Sequence, residues 1–326
     1  MAHMIDTTTG TAAIAYRGNE PWHGLGQVIE AGDDIDTIVT KARLDYQVLD
    51  SPVLYKASVK TGENQFDLQT RTVNDRKVLY RSDNQAPLSV VSRDYQTVQP
   101  REVAAFFDEM VRSGGFRIET VGALSGGRRV WALAKLGDGA KIIGEDLVRP
   151  YMMLATSYDG TMATVAKYVN ERVVCHNTIT MALGEAGHEV KVYHSQKFDA
   201  TRVRQDMGVA LNAFDEWVIK ARRLATFGLE DEEAAVLAED LFRPRTKVED
   251  VRQSRGFQSV MTLFKGAALG SGFTQGGTAW QLLNAVTEYV DHARGRGADT
   301  RLNSAWFGDG DKLKSDAESK LLELVA

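Results

Sequence analysis

An α+β fold is expected from three features of the sequence. Short runs rich in β-branched and aromatic residues, separated by polar turns, fill residues 46–93 and 116–175. Segments of helical character flank the second group, at 100–113 and 177–184. From about residue 199 onward the pattern is helical. The expected division is an N-terminal extension over residues 1–45, an α+β core over 46–198 and a helical C-terminal region over 199–326.

The elements follow in order. Asp33 or Asp34 is placed to cap a helix from Ile35 to Leu44. Val48, Val53, Leu54, Tyr55, Val59, Val78, Leu79, Tyr80, Val90 and Val91 mark short strands, with turns at Thr61–Asn64 and Ser82–Asn84. Pro100 opens an amphipathic helix carrying Val103, Phe106, Phe107, Met110 and Val111, and Gly114-Gly115 stops it. Strands are expected at Phe116–Val121, Arg128–Lys135, Tyr151–Ser157 and Met162–Cys175, joined by turns at Gly126-Gly127 and Asp159-Gly160. Asn177 begins a short helix through Leu183.

Farther along, Val203, Met207, Ala210, Phe214, Trp217, Ala221 and Leu224 step by fours and threes, a heptad-like seam. A helix over Asp231–Phe242 stops before Pro244. Thr246-x-x-Glu249 and Thr278-x-x-Gln281 are capping-box patterns that open two more. A glycine-rich loop, Gly266 to Gly277, lies between them, and a last helix covers about 312–325.

Composition narrows the function. Of 326 residues, 43% are hydrophobic and 25% charged, the balance of a folded globular chain. No apolar run approaches the ~18 residues that a membrane span needs, and the N-terminus lacks the basic and apolar stretches of a signal peptide, so a cytoplasmic protein is expected. The lone cysteine, Cys175, excludes an internal disulfide framework, and the six histidines make no zinc pattern. No cofactor is expected. The net charge of −5 runs against nucleic-acid binding. A local basic face still binds phosphate, because salt screens charges beyond about 8–10 Å.

Several stretches carry candidate chemistry, each with a plainer reading beside it. Pro21-Trp22-His23-Gly24-Leu25-Gly26 offers a ring for base stacking, or a buried anchor. Arg128 and Arg129 beside Trp131 suit a phosphate clamp with a stacking ring, or a solvated hairpin over a core tryptophan. Lys135 ends the same strand. Lys167, Tyr168, Arg172 and Lys191 suit a groove that tracks a backbone, or a solvated sheet edge. Cys175 and His176 are adjacent in a strand and point to opposite faces, which excludes a thiol–imidazole pair. The glycines before Thr278 suit an anion nest or a plain loop, and they form neither a Walker loop nor a dinucleotide fingerprint. Asp309, Asp311, Lys312 and Lys314 echo a metal-dependent nuclease cluster, or a capped helix.

Glu20–Gly26, Arg93–Gln99, Gly126–Trp131, Arg172–Thr178 and Gly277–Trp280 with Asn284-Ala285 together resemble the phage/plasmid-like proteins grouped as a domain of unknown function. The resemblance spans nearly the whole chain and implies an origin in a mobile element. The order helix, four strands, helix over 100–184 also resembles, in topology alone, the single-strand annealing recombinases of the Rad-fifty-two, Redβ and RecT superfamily. That second resemblance implies a helix–antiparallel β-hairpins–helix core, a ring or filament of subunits, and ATP-independent annealing of single-stranded DNA. On this reading the candidate stretches above would supply phosphate contacts at Arg128, Arg129, Lys135, Lys167, Arg172 and Lys191 and stacking at Trp131 and Tyr168, with a phage exonuclease as a partner. The alternatives are a phage structural or regulatory protein that binds another protein through its helical half, and a metal-dependent enzyme of DNA processing.

Overall fold

The computed structural model describes residues 5–18, 24–63, 65–112, 115–172, 177–180, 189–207, 210–267, 277–295 and 298–325. Trp22, His23, Cys175, His176 and most of the glycine-rich loop lie outside them.

Among the described residues the main sheet has nine strands. Strand β1 (Ile14–Tyr16) and the short β2 (Gln27–Val28) come from the N-terminal stretch, followed by helix α1 (Ile35–Lys41), whose Asp34 cap accepts from the Thr37 amide at 2.8 Å. A separate three-stranded sheet comes next: β3 (Val48–Lys60), β4 (Phe66–Arg81) and β5 (Pro87–Ser92), in spatial order β3-β4-β5. Helix α2 (Pro100–Ala105) starts on Pro100, with Glu102 accepting from the Gln99 amide at 2.6 Å. The helix read over 100–113 is two helices, since a break after Ala105 leads into α3 (Asp108–Arg112).

The centre of the main sheet is an antiparallel meander of β6 (Phe116–Leu124), β7 (Arg129–Leu136), β9 (Leu147–Ser157) and β10 (Thr164–Arg172), with a two-residue β8 (Ala140–Lys141) beside β9. Strands β11 (Asn177–Thr180) and β12 (Glu189–Val192) pair with successive halves of β10, and β1 closes the other side against β6. The N-terminal stretch thus contributes two strands to the main sheet. The helix expected to begin at Asn177 is instead β11: the chain folds back on β10, and its amides complete that ladder.

The rest is helical. It comprises α4 (Ala200–Met207), α5 (Ala210–Thr226), α6 (Asp231–Phe242), α7 (Arg255–Thr262), α8 (Ala279–Glu288), α9 (Ala298–Phe307) and α10 (Asp309–Leu324). Thr278 caps α8 by accepting from the Gln281 amide. Thr246 opens no helix. Its hydroxyl accepts from the Val248 amide in a local turn, and Ser254 caps α7 eight residues later. One continuous hydrophobic core joins all these parts, from Ala13 and Ala15 through Phe106, Val130 and Leu154 to Trp280, Leu283 and Leu321. The seam residues Val203, Trp217, Ala221 and Leu224 are buried within it, so they face their own chain and not a neighbouring subunit. No described helix is long and apolar enough to cross a membrane.

Candidate nucleic-acid interface

The eight residues read as a DNA groove do not form one surface. Arg128 is exposed on the turn between β6 and β7, and Arg129 is half-buried, donating to Thr161 Oγ1 at 2.8 Å. Lys135 closes the opposite end of β7, about 20 Å away at the ~3.3 Å rise of a strand. Its ammonium lies 3.8 Å from Asp138. Lys191 is exposed and paired with Glu189 at 2.9 Å. Arg172 ends β10, and its side chain lies outside the described set.

Trp131, Lys167 and Tyr168 are each only 3% exposed. Both faces of the sheet are covered there, which takes these side chains out of any surface groove. Trp131 lies over Gly122 on β6, where a β-carbon would come within 2.5 Å of the indole. Its Nε1 donates to Thr120 Oγ1 at 3.3 Å, and Trp306 stands edge-on against its ring. Lys167 donates to the Trp306 carbonyl at 2.7 Å and to Asp311 at 2.8 Å. Burial holds its pKa below the ordinary lysine value, and the Asp311 carboxylate opposes that shift only in part. Tyr168, on the other face of β10, lies in the main core, where burial raises its phenol pKa.

The nuclease-like cluster resolves the same way. Asp311 is the counter-ion of Lys167, and Lys314 that of Asp291 at 3.0 Å. Among the described residues no group of three or more His, Cys, Asp or Glu could hold a metal ion.

The feature that does project is the β3–β4 hairpin. Near its root the two strands pair regularly, and β5 backs β4 from Arg76 to Tyr80. The register then jumps from Pro52 opposite Lys77 to Val53 opposite Val73, so Asn74, Asp75 and Arg76 form a bulge. Beyond it, residues 53–60 and 66–73 pair with each other, and among the described residues no third strand joins them. This arm is about 26 Å long at the strand rise.

Directly opposed residues of an antiparallel pair share a face. One face of the arm carries Leu54, Lys56, Ser58, Lys60, Phe66, Leu68, Thr70 and Thr72. Phe66 and Leu68 are 63% and 68% exposed, Lys60 stands opposite Phe66, and the face has no acidic residue. This is a cation beside an aromatic ring, the combination sought at Arg128 and Trp131. The other face carries Val53, Tyr55, Ala57, Val59, Asp67, Gln69, Arg71 and Val73.

A buried guanidinium anchors the root of the arm. Arg81, fully buried at the end of β4, pairs with Asp6 and, at 2.7 Å, with Asp83, and lies 3.9 Å over the Tyr46 ring. It also donates to the Gly126 carbonyl at 3.4 Å. Gly127 has φ +87°, and a β-carbon there would come within 2.8 Å of the Tyr46 hydroxyl. The anchor therefore ties the arm to the turn that bears Arg128. Burial works against the Arg81 charge, but hydrogen bonds to Asp83 and Asp6 prevail and raise its pKa, while Arg81 holds Asp83 below the usual carboxylate range.

Residues 87–306 match the family described as Domain of unknown function (DUF932). The chain belongs to that family. No curated protein and no solved structure matches it. The matched span begins at β5 and runs almost to the end of α9, so it takes in the meander and most of the helical layer, while the arm lies ahead of it.

Proposed function

We propose that this member of the family binds single-stranded DNA and anneals complementary strands without nucleotide hydrolysis, in recombination of a phage or plasmid. The observation that carries the reading is the acid-free face of the arm, with Lys56, Lys60 and exposed Phe66. Two ammonium groups about 13 Å apart along one strand would meet separate phosphates. A flat exposed ring beside them would stack on a base. Such contacts are indifferent to sequence and make no covalent bond, as annealing requires. Arg128 and Arg129, on the turn tied to the arm's root, would add phosphate contacts there. The helix followed by an antiparallel meander agrees with the first part of the topological resemblance to annealing proteins, while strand β11 stands where its closing helix was expected. Trp131, Lys167 and Tyr168 are buried and take no part in this contact.

Fluorescence anisotropy with a labelled oligothymidine tests it. The protein should prefer the single strand to a duplex of equal length. Phe66→Ala should weaken single-strand binding by roughly 1–3 kcal/mol while the thermal midpoint stays put, because the ring is exposed. Equal affinity for duplex, or binding indifferent to Phe66, would remove the arm from the DNA site.

A further inference from the structure

We infer that the second face of the arm, Val53, Tyr55, Ala57, Val59, Asp67, Gln69, Arg71 and Val73, docks against the same face of a second copy of this chain. The inference does not depend on DNA binding, which uses the opposite face. Along β3 the side chains on this face are all apolar, whereas those on the other face alternate Leu54, Lys56, Ser58 and Lys60. That is the pattern of a strand with one covered face, yet within the chain nothing described covers it. A two-stranded ribbon with open edges is marginal in water by itself and is a ready template for another chain.

The charges identify the occupant. Asp67 and Arg71 lie two residues either side of Gln69 on β4, and Gln69 stands opposite Ala57 on β3. Consider two arms packed face to face and antiparallel, related by a two-fold axis through the Ala57–Gln69 pair. Each Arg71 then meets the other copy's Asp67, Tyr55 meets Val59, and Ala57 meets Ala57. The apolar row covers an apolar row and the charged row meets its complement, the self-complementarity that an isologous contact demands. The surface is only two strands wide, so the association belongs to the weak, concentration-dependent class.

Sedimentation velocity of the full chain over a dilution series up to about 100 µM reads it out. The parent should dimerise. Asp67→Arg should weaken the dimer by about tenfold or more, since both ion pairs become Arg–Arg contacts. Asp67→Arg combined with Arg71→Asp should restore it, which also shows that the substitutions leave the fold intact. In a Cys175→Ser background, Ala57→Cys should be captured as a dimer by a short bis-maleimide, and Ser58→Cys on the opposite face should not. A parent that stays monomeric, a dimer indifferent to Asp67→Arg, a charge swap that fails to rescue, or capture through Ser58→Cys would each overturn the inference.

Discussion

Gly122→Ala is the sharpest test of where Trp131 sits. A methyl group on Gly122 would lie 2.5 Å from Trp131 Cη2 and 2.8 Å from the Ala13 carbonyl oxygen. Neither neighbour can retreat. The Ala13 carbonyl accepts from the Ala123 amide at 2.8 Å, and the indole is held by Thr120 and by the edge contact with Trp306. Overpacking of this kind costs about 1–3 kcal/mol. Trp131→Ala should cost about 3–5 kcal/mol through loss of a buried indole. The double variant should be more stable than the sum of the two predicts, by about 1 kcal/mol or more, because the methyl then occupies space the ring has left. Urea unfolding of the four proteins, followed by far-ultraviolet circular dichroism, gives the cycle. Strict additivity, or a Gly122→Ala protein as stable as the parent, would mean that the ring does not lie on Gly122 and would reopen the possibility that it stacks on bases.

Three further outcomes follow from the buried charges and the turn. Arg81→Met strands the buried Asp6 carboxylate and should cost about 3–5 kcal/mol, read from chemical denaturation; a loss under 1 kcal/mol would remove the anchor from the account. Lys167 has a folded-state pKa below its unfolded value near 10.4. Between those two values the unfolded chain binds the extra proton, so stability should rise with pH relative to Lys167→Met; a difference that falls from neutral pH to about pH 10 would mean that the Asp311 attraction outweighs burial, and would contradict the lowered pKa. Arg128→Ala with Arg129→Ala should shift stability by no more than roughly 0.5 kcal/mol, since one side chain is exposed and the other bonds only an exposed threonine; melting curves decide this.

The meander was legible because its turns are written in glycine: Gly126-Gly127 and Asp159-Gly160 fall between the strands they were expected to join. Helix α6 was legible from Pro244, and α8 from Thr278. The β11 strand was not, since Asn177-Thr178 serves equally as a helix cap and as a strand start, and only pairing with β10 decides. At the site, Lys167 and Tyr168 read as surface residues because a charged and a hydroxylated side chain adjoin in one strand. What buries them lies far along the chain: Asp311 is 144 residues from Lys167, and local pattern carries no trace of that contact. The arm was legible in part. The β3 strand and the turn after it were expected, but no residue marked the strand over 66–73, and the projection was not expected. The signal was present in Gln69, Thr70, Arg71 and Thr72, a polar run on β4 that has no apolar row for any core to cover.

The salt dependence of single-strand binding tests the central claim most directly. Neutralising a phosphate on a single strand contributes about −0.7 to the slope of log affinity against log salt. Lys56→Ala with Lys60→Ala should therefore flatten the parent's slope by about 1.4, while the urea midpoint stays within roughly 0.5 kcal/mol of the parent, because both ammonium groups are on an exposed face. The same slope in parent and double variant, or no binding by the parent at about 50 mM salt, would contradict the assignment of the arm as the DNA-binding surface.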